Sequence, residues 1–251
     1  MQARAVELAK QADVVLLYIG LDEISESEGL DRSHMRLPQS QTDLLKAVAA
    51  VNPNVVAVLS AGSVVEMPWL DQCRAVIHGY LCGQAGAGAM LQALLGEINP
   101  SGRLAESYPL QYEDTPSAPY FPSKQRNAEY REGLYVGYRY FETAHVPVLF
   151  PFGYGLSYTT FAYSGLSVSE KEVSFTLKNT GAVDGAEVAQ LYVGKADAKV
   201  FRPAKELKGF QKVFLRAGES KVVTIPLDGT AFRYFNVKTN RFEIEDGEYQ
   251  V

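Results

Sequence analysis

Near the N-terminus, the stretch Asp13-Val14-Val15-Leu16-Leu17-Tyr18-Ile19-Gly20 is nearly continuous in apolar residues. A strand covered on both faces has this pattern, so we predict a buried strand of a parallel sheet. It is followed by Ser25-Glu26-Ser27-Glu28-Gly29-Leu30-Asp31-Arg32, which concentrates carboxylates, a glycine and neighbouring opposite charges. Because chemistry in α/β sheets usually sits on loops that leave the carboxyl ends of strands, this loop is the first candidate for a functional site.

Strand and helix patterns alternate through the first part of the chain. Apolar residues line one face of a predicted helix over 40–51, and the runs 55–60 and 75–81 predict two further strands. Another helix is predicted over 90–95. Strands separated by helices imply right-handed crossovers and a parallel sheet. We therefore predict a three-layer αβα sandwich with a mostly parallel sheet over residues 1–110.

The remainder of the chain changes character twice. Prolines interrupt any regular pattern over residues 111–157, while tyrosine and phenylalanine are frequent there, which predicts an ordered connector rather than a flexible linker. Short alternating segments separated by glycine-containing turns fill residues 158–251 and predict an all-β sandwich. The predicted strands of this sandwich are 172–177, 186–193, 206–214, 220–226 and 241–244.

Composition and charge exclude several classes of function. The net charge is -5 and no run is rich in lysine or arginine, so the chain lacks the electrostatic footprint of a nucleic-acid binder. No apolar stretch reaches the roughly 18 residues that a membrane-spanning helix needs, and residues 1–7 lack the apolar core of a signal peptide. We expect a soluble protein without nucleic-acid or membrane partners, with the cytoplasm slightly favoured as its location.

Cysteine and histidine spacing gives no sign of a metal site. The three histidines are scattered, and two cysteines fit neither a disulfide framework nor a metal-ligand pattern. Cys73 and Cys82 lie in or beside an apolar segment, so we predict two buried thiols. The run Gly83–Gly88 has no Lys-Ser/Thr pair after it, which favours close helix packing over phosphate binding. We expect neither a metal nor a cofactor.

Six segments carry a combined signal when they are taken in order. They are Ala12–Val15, Glu28–Arg32 with Leu37-Pro38, Gly83–Gly86, Asn99–Leu104, Tyr135–Tyr140 and Phe152–Phe161. Together they resemble the C-terminal portion of family 3 glycoside hydrolases, the β-glucosidase-like enzymes. The resemblance covers nearly the whole chain and implies that residues 158–251 form a fibronectin type III-like domain.

One catalytic part of the family is missing from this sequence. The family's nucleophile is an aspartate in a separate (β/α)8 barrel, usually within a Ser-Asp-Trp motif, whereas the single tryptophan here lies in Pro68-Trp69-Leu70. The resemblance therefore implies a C-terminal fragment or subunit of a retaining β-glycosidase, with β-glucosidase as the expected activity, that acts on a β-linked glucoside or oligosaccharide together with a barrel partner. We expect the chain alone to be nearly inactive.

The resemblance also assigns roles within the loop of residues 25–32. Glu28 matches the family's general acid/base, Glu26 is its rival for that role, and Gly29, Asp31 and Arg32 are expected to brace the loop. Two other interpretations stay open: a non-catalytic carbohydrate-binding or spacer module, and a flavodoxin-like nucleotide or flavin domain.

Overall fold

The computed structural model describes residues 2–251 and divides them into two compact units. The first unit contains residues 2–92 and 108–130, and the second contains residues 93–107 and 131–251. None of the helices in residues 2–251 is both long and apolar enough to cross a membrane.

A three-stranded parallel sheet forms the centre of the first unit. Its strands are β1 (Val15–Gly20), β2 (Val55–Ser60) and β3 (Ala75–His78), in that spatial order. The helices of this part of the chain are α1 (Gln2–Ala9), α2 (Gln39–Ala49) and α3 (Gly86–Leu95). Strands alternate with helices as the sequence predicts, and the α/β fold class is confirmed.

The burial of β1 differs from its prediction. Leu17 and Ile19 are buried, whereas Leu16 and Tyr18 on the opposite face are 45% and 67% exposed. The expectation that both faces of β1 are covered is therefore wrong for residues 2–251. β1 lies at the edge of the three-stranded sheet, and the central strand β2 is the one with a nearly continuous buried pattern.

A buried asparagine side chain joins α1 to the turn after α2. Asn52 donates hydrogen bonds from Nδ2 to the carbonyl oxygens of Ala9 (2.9 Å) and Ala12 (2.7 Å), and its Oδ1 accepts one from the N–H of Asn54 (2.8 Å). The side-chain amide of the buried Asn52 is thereby hydrogen-bonded through both its nitrogen and its oxygen.

Close packing explains only one of the glycines over residues 83–88. A Cβ on Gly86 would lie 2.0 Å from Cβ of Cys82, whereas a Cβ on Gly83 or Gly88 would meet nothing within 4 Å. Gly83 has φ of +61°, so its backbone conformation accounts for the glycine there. The helix begins at Gly86, four residues earlier than predicted, although glycine is a poor helix former. Cys82 itself is exposed and Cys73 is half-buried, so the prediction of two buried thiols is wrong.

The stretch predicted as a connector contains short regular elements. They are a 3-10 helix (Tyr112–Asp114) in the first unit, and α4 (Tyr138–Thr143) and β5 (Val148–Phe150) in the second. The short strand β4 (Tyr108–Pro109) lies just before this stretch, in the first unit. The ring of Tyr138 stacks on Phe152 with centroids 4.8 Å apart. Tyr130, by contrast, is 91% exposed.

Antiparallel strands build the rest of the second unit. One sheet has the order β10-β7-β6, a second sheet consists of β8 and β9, and β11 pairs with β12. Side chains from β7, β8, β9 and β10 meet in one apolar core. The strands are β6 (Phe161–Val168), β7 (Glu172–Asn179), β8 (Gly185–Val193), β9 (Glu206–Leu215), β10 (Ser220–Pro226), β11 (Arg233–Asn236) and β12 (Arg241–Ile244).

Two of the sequence segments singled out above meet within the second unit. Asn99 Oδ1 accepts hydrogen bonds from Ser157 Oγ (3.0 Å) and from the N–H of Tyr158 (2.8 Å). Arg103 forms an ion pair with Glu187 of β8, and both side chains are largely buried. Segment 99–104 is thus joined to segment 152–161 by hydrogen bonds and to β8 by an ion pair.

We expect Asn52→Ala to lower the free energy of unfolding by about 2 kcal/mol, since it removes three hydrogen bonds of a buried side chain. Asn54→Ala on the same turn removes only one exposed hydrogen bond, to Asp13, and should cost less than about 0.5 kcal/mol. Urea unfolding followed by the fluorescence of Trp69, the single tryptophan, measures both variants. Equal losses for the two variants would contradict the role given to Asn52.

Candidate functional site

The candidate site lies where β1 and β2 end. Gly20, the last residue of β1, exchanges two hydrogen bonds with the side chain of Gln41 in α2. Its N–H donates to Oε1 (2.8 Å), and its carbonyl oxygen accepts from Nε2 (2.9 Å). This contact fixes the point at which the loop of residues 21–32 leaves the sheet. The loop after β2 leaves the same edge, because adjacent parallel strands end side by side.

Glu26 anchors the first loop to the second. Its two carboxylate oxygens accept hydrogen bonds from the N–H of Gly62, at 2.9 and 2.8 Å, and Oε1 also accepts one from Ser63 Oγ at 3.3 Å. A Cβ on Gly62 would lie 3.0 Å from the side chain of Leu81 and 3.2 Å from Glu26 Oε1. The small residue at position 62 therefore permits the approach of the carboxylate.

Arg32 anchors the other end of the same loop. Its Nη1 donates to Ser63 Oγ (2.8 Å) and to the carbonyl oxygen of Val64 (3.2 Å). Burial lowers the pKa of the half-buried guanidinium, and the carboxylates of Glu26 and Glu66 oppose this shift. Ser63 therefore contacts both anchors, accepting from Arg32 and donating to Glu26. This geometry supports the predicted bracing role of Arg32.

Glu28 lies between the two anchors and is not itself held. The residue is exposed, and within residues 2–251 its carboxylate forms no hydrogen bond or ion pair. Gly29 follows it with φ of +78°, a conformation that L side chains rarely adopt, and a Cβ there would meet nothing within 4 Å. Glycine is thus required by the backbone turn rather than by lack of space.

Asp31 is exposed and, among the residues that the structure describes, forms no hydrogen bond or ion pair. The neighbouring charges of Asp31 and Arg32 do not pair, since the guanidinium points to Ser63 and Val64. A bracing role for Asp31 stays a prediction without a supporting contact.

Sequence reasoning missed the second loop, Ala61-Gly62-Ser63-Val64. Its position could have indicated a functional loop, because it directly follows the predicted strand 55–60 of a parallel sheet. Sequence reasoning also passed over His78 at the end of β3. Its ring centroid lies 3.9 Å from that of Tyr80, and its Nδ1 is 3.3 Å from the carbonyl oxygen of Leu59.

Comparison with known proteins identifies both parts of the chain. Residues 1–158 match the model of the glycosyl hydrolase family 3 C-terminal domain, and residues 187–251 match that of a fibronectin type III-like domain.

Curated relatives extend over this whole chain. A thermostable beta-glucosidase B of Acetivibrio thermocellus is 48% identical over 98% of this chain, which covers 34% of that protein. An exo-alpha-(1->6)-L-arabinopyranosidase of Bifidobacterium breve is 47% identical over 100% of this chain, again covering 34% of the relative. The chain thus spans about a third of the length of these relatives.

Solved structures agree with the sequence matches. The GH3 beta-glucosidase of Bifidobacterium adolescentis superposes with a TM-score of 0.95 at 47% identity, covering 99% of this chain and 38% of that one. The beta-glucosidase of Kluyveromyces marxianus in complex with glucose superposes with a TM-score of 0.94 at 41% identity, covering 99% of this chain and 31% of that one.

We expect Glu26→Ala to speed hydrogen exchange of the Gly62 amide by about tenfold or more, since hydrogen bonds to a charged group contribute about 1.5–3 kcal/mol. Glu23→Ala and Glu28→Ala should leave this rate unchanged, because neither carboxylate contacts Gly62. Residue-resolved NMR exchange measures all three variants. An equal acceleration in Glu28→Ala would show that the anchor is assigned to the wrong glutamate.

The second prediction for this site concerns pH. Burial is the main cause that lowers the pKa of His78 below its usual 6.5, while the Leu59 carbonyl and Glu26 oppose it. The unfolded chain therefore takes up this proton at a higher pH than the folded chain does. The stability contributed by neutral His78 is complete above about pH 6.5 and is lost as the pH falls towards the lowered folded value.

Urea unfolding at a series of pH values between about 8 and about 5 tests this expectation, because histidine titrates within this range. Over this pH range, the free energy of unfolding should fall less in His78→Gln than in the parent chain. In His34→Gln it should fall as much as in the parent chain, because His34 is exposed. Parallel pH profiles for the parent and His78→Gln would overturn it.

Proposed function

Because this chain belongs to glycoside hydrolase family 3 and corresponds to its β-glucosidase-like C-terminal portion, we propose that it supplies the general acid/base of a retaining β-glycosidase. The complete enzyme hydrolyses terminal β-O-glycosidic bonds, with β-glucosidase as its activity. Glu28 is the proton donor.

The observation that carries this proposal is the contrast between the two glutamates. Both carboxylate oxygens of Glu26 are occupied by the amide of Gly62, whereas Glu28 is exposed and without a partner in residues 2–251. A group that must give a proton to a substrate oxygen has to reach it within hydrogen-bond distance. The carboxylate of Glu28 is free for such a contact, on a loop that is fixed on both sides, whereas Glu26 serves as an anchor.

The proposed reaction uses two carboxyl groups, of which this chain provides one. In a retaining glycosidase they lie about 5–5.5 Å apart, and the nucleophile bonds to the anomeric carbon while the acid protonates the departing oxygen. The same residue then takes a proton from the water that releases the sugar. We assign the nucleophile to a (β/α)8 barrel, in the two thirds of the relatives' length that this chain does not span.

Docking of such a barrel would also change the surroundings of the loop. A general acid works best with a pKa near the working pH, and enzymes raise carboxyl pKa values by desolvation and by a neighbouring carboxylate. A barrel that covered the exposed loop would provide both effects. Catalysis thus depends on the two domains together.

The sugar is proposed from the relatives' names. The first relative is a β-glucosidase and a second relative of nearly equal identity is an arabinopyranosidase, so identity alone does not fix the glycone. We propose a β-linked glucoside because two of the matched solved structures are β-glucosidases, one of them in complex with glucose.

The decisive experiment is a chimera. The corresponding part of the Acetivibrio thermocellus enzyme is replaced by this chain, which is 48% identical to it, and hydrolysis of aryl β-glucosides is measured. We expect Glu28→Gln to lower kcat by about a hundredfold to ten-thousandfold. The loss should be smaller for a 2,4-dinitrophenyl glucoside, since a good leaving group needs little protonation.

Three controls make the result specific. Glu23→Gln changes an exposed carboxylate on the same loop and should leave kcat unchanged. Glu26→Gln keeps one acceptor oxygen for Gly62 and should lose less activity than Glu28→Gln, with no dependence on the leaving group. The isolated chain should show no turnover. The proposal fails if Glu26→Gln abolishes activity in a leaving-group-dependent way while Glu28→Gln is fully active.

A further inference from the structure

His78 is the last residue of β3 and pairs with Leu59 of β2. Its ring stacks on that of Tyr80 with centroids 3.9 Å apart, and the ring of Tyr108 meets it edge-on at 6.1 Å. The Nε2 atom of His78 is buried and has no hydrogen-bond partner among residues 2–251. His78 is therefore a packed titratable group that the proposed reaction does not use.

The backbone around His78 indicates which ring nitrogen carries the proton of the neutral form. The N–H of Tyr80 donates to Nδ1 at 3.4 Å, which requires Nδ1 to be an acceptor and puts the proton of the neutral ring on Nε2. The carbonyl oxygen of Leu59 lies 3.3 Å from the same Nδ1 and already accepts from the N–H of Gly79 at 2.9 Å. In its neutral state, His78 thus holds the amide of Tyr80.

Protonation of His78 reverses the role of Nδ1. A charged imidazolium carries a proton on both nitrogens and accepts no hydrogen bond. Its Nδ1–H can donate only to an acceptor such as the Leu59 carbonyl oxygen, and the amide of Tyr80 loses its partner on the ring. One atom therefore supports the Tyr80 backbone only while the ring is neutral.

Tyr80 depends on such support because its backbone is strained. Its φ of +53° lies in the left-handed region, which a bulky residue adopts only where surrounding contacts enforce it. These contacts include the hydrogen bond to His78, the stack on the His78 ring, and a hydrogen bond from Ser60 Oγ to the Tyr80 carbonyl oxygen at 3.2 Å. Two of these three involve His78.

The turn at Tyr80 also touches the loop that holds Glu26. Leu81 follows Tyr80, and a Cβ on Gly62 would lie 3.0 Å from the Leu81 side chain. The N–H of Gly62 donates to both carboxylate oxygens of Glu26. A displacement of Tyr80 therefore reaches the anchor of Glu26 through Leu81 and Gly62.

Few groups besides His78 can respond to pH at this place. Among residues 2–251, the titratable groups in ring contact with His78 are the phenols of Tyr80 and Tyr108, and the charge that acts on it is that of Glu26. Phenols ordinarily ionise only near about pH 10. Burial lowers the pKa of His78 below its usual 6.5, although Glu26 favours the charged ring. The ring is therefore neutral at about pH 7 and becomes charged as the pH falls below about 6.5.

We propose that His78 is a positioning residue for the general acid/base. Its neutral ring holds the turn at Tyr80 against Gly62, and its protonation loosens the Glu26 anchor and displaces Glu28 from its productive position. The catalytic consequence rests on the proposed function, whereas the coupling of His78 to Gly62 depends on the fold alone. The complete enzyme thereby has an acid limit that originates in this chain.

The coupling is tested on the 251-residue chain without substrate. Residue-resolved NMR exchange gives protection factors, which correct for the pH dependence of the intrinsic exchange rate. Between about pH 8 and about pH 5, the protection of the Tyr80 and Gly62 amides should fall by about tenfold or more, since their hydrogen bonds are lost or weakened. The fall should exceed that of the amides of the central strand β2, which report global unfolding. Its midpoint should coincide with the NMR titration of the His78 ring.

His78→Asn is the matched variant, because its amide oxygen can take the place of Nδ1 as an acceptor but does not titrate. In this variant the protection of Gly62 should change by less than about twofold over the same pH range. His34→Asn removes an exposed histidine of the first unit and should keep the pH dependence of the parent chain.

The catalytic consequence is measured in the chimera. The ratio of kcat at about pH 5 to kcat at about pH 7.5 should be at least about fivefold higher in His78→Asn than in the parent chimera. The carboxylates of the barrel titrate in both proteins, so this comparison isolates His78. The difference should be smaller for the 2,4-dinitrophenyl glucoside, whose departure needs little protonation.

The possible failures are distinguishable. Protection of Gly62 that does not follow the His78 titration, or that keeps its pH dependence in His78→Asn, would refute the coupling. Equal pH profiles of kcat for the parent and His78→Asn, in a chimera that Glu28→Gln impairs, would refute the positioning role alone. A chimera in which Glu28→Gln is fully active would refute the proposed function and the positioning role together, and the exchange measurements would still decide the coupling.

Discussion

The close approach of β1 to β2 at Gly20 and Ser60 is the constraint on which the site depends. A Cβ at position 20 would lie 2.0 Å from the carbonyl oxygen of Ser60, so only glycine permits this pairing. Gly20 and Ser60 are also the last paired residues of the two strands. Two loops that are about 35 residues apart in sequence thereby leave the sheet side by side. Every contact of Glu26 and Arg32 with the second loop follows from that proximity.

Ser63 converts this proximity into a defined loop geometry. Its hydroxyl donates a hydrogen bond to the carboxylate of Glu26 and accepts one from the guanidinium of Arg32. An apolar side chain of similar size could do neither. The two charged residues are thereby held on one small group and do not pair directly with each other. The intervening turn, with Glu28 and Gly29, remains outside this network, and the proposed proton donor is separate from the residues that position it.

Much of the fold could be predicted from the sequence, because apolar periodicity and turn residues are local signals. The strand 55–60 and the strand 220–226 were predicted with the observed bounds. The strand β6 was missed because Gly165, with φ of +63°, breaks the alternation where the pairing register shifts. The anchoring role of Glu26 was beyond sequence reasoning, since it depends on an amide 36 residues away.

The isolation of Glu28 from the anchoring contacts has an evolutionary consequence. A mutation of Glu28 removes no hydrogen bond or ion pair from residues 2–251. Selection for a stable protein therefore acts weakly on this carboxylate, whereas selection for the proposed proton transfer would maintain it. Relatives that had lost the proposed role would keep the same architecture, and a loop with the anchors intact but another residue at the tip would identify them.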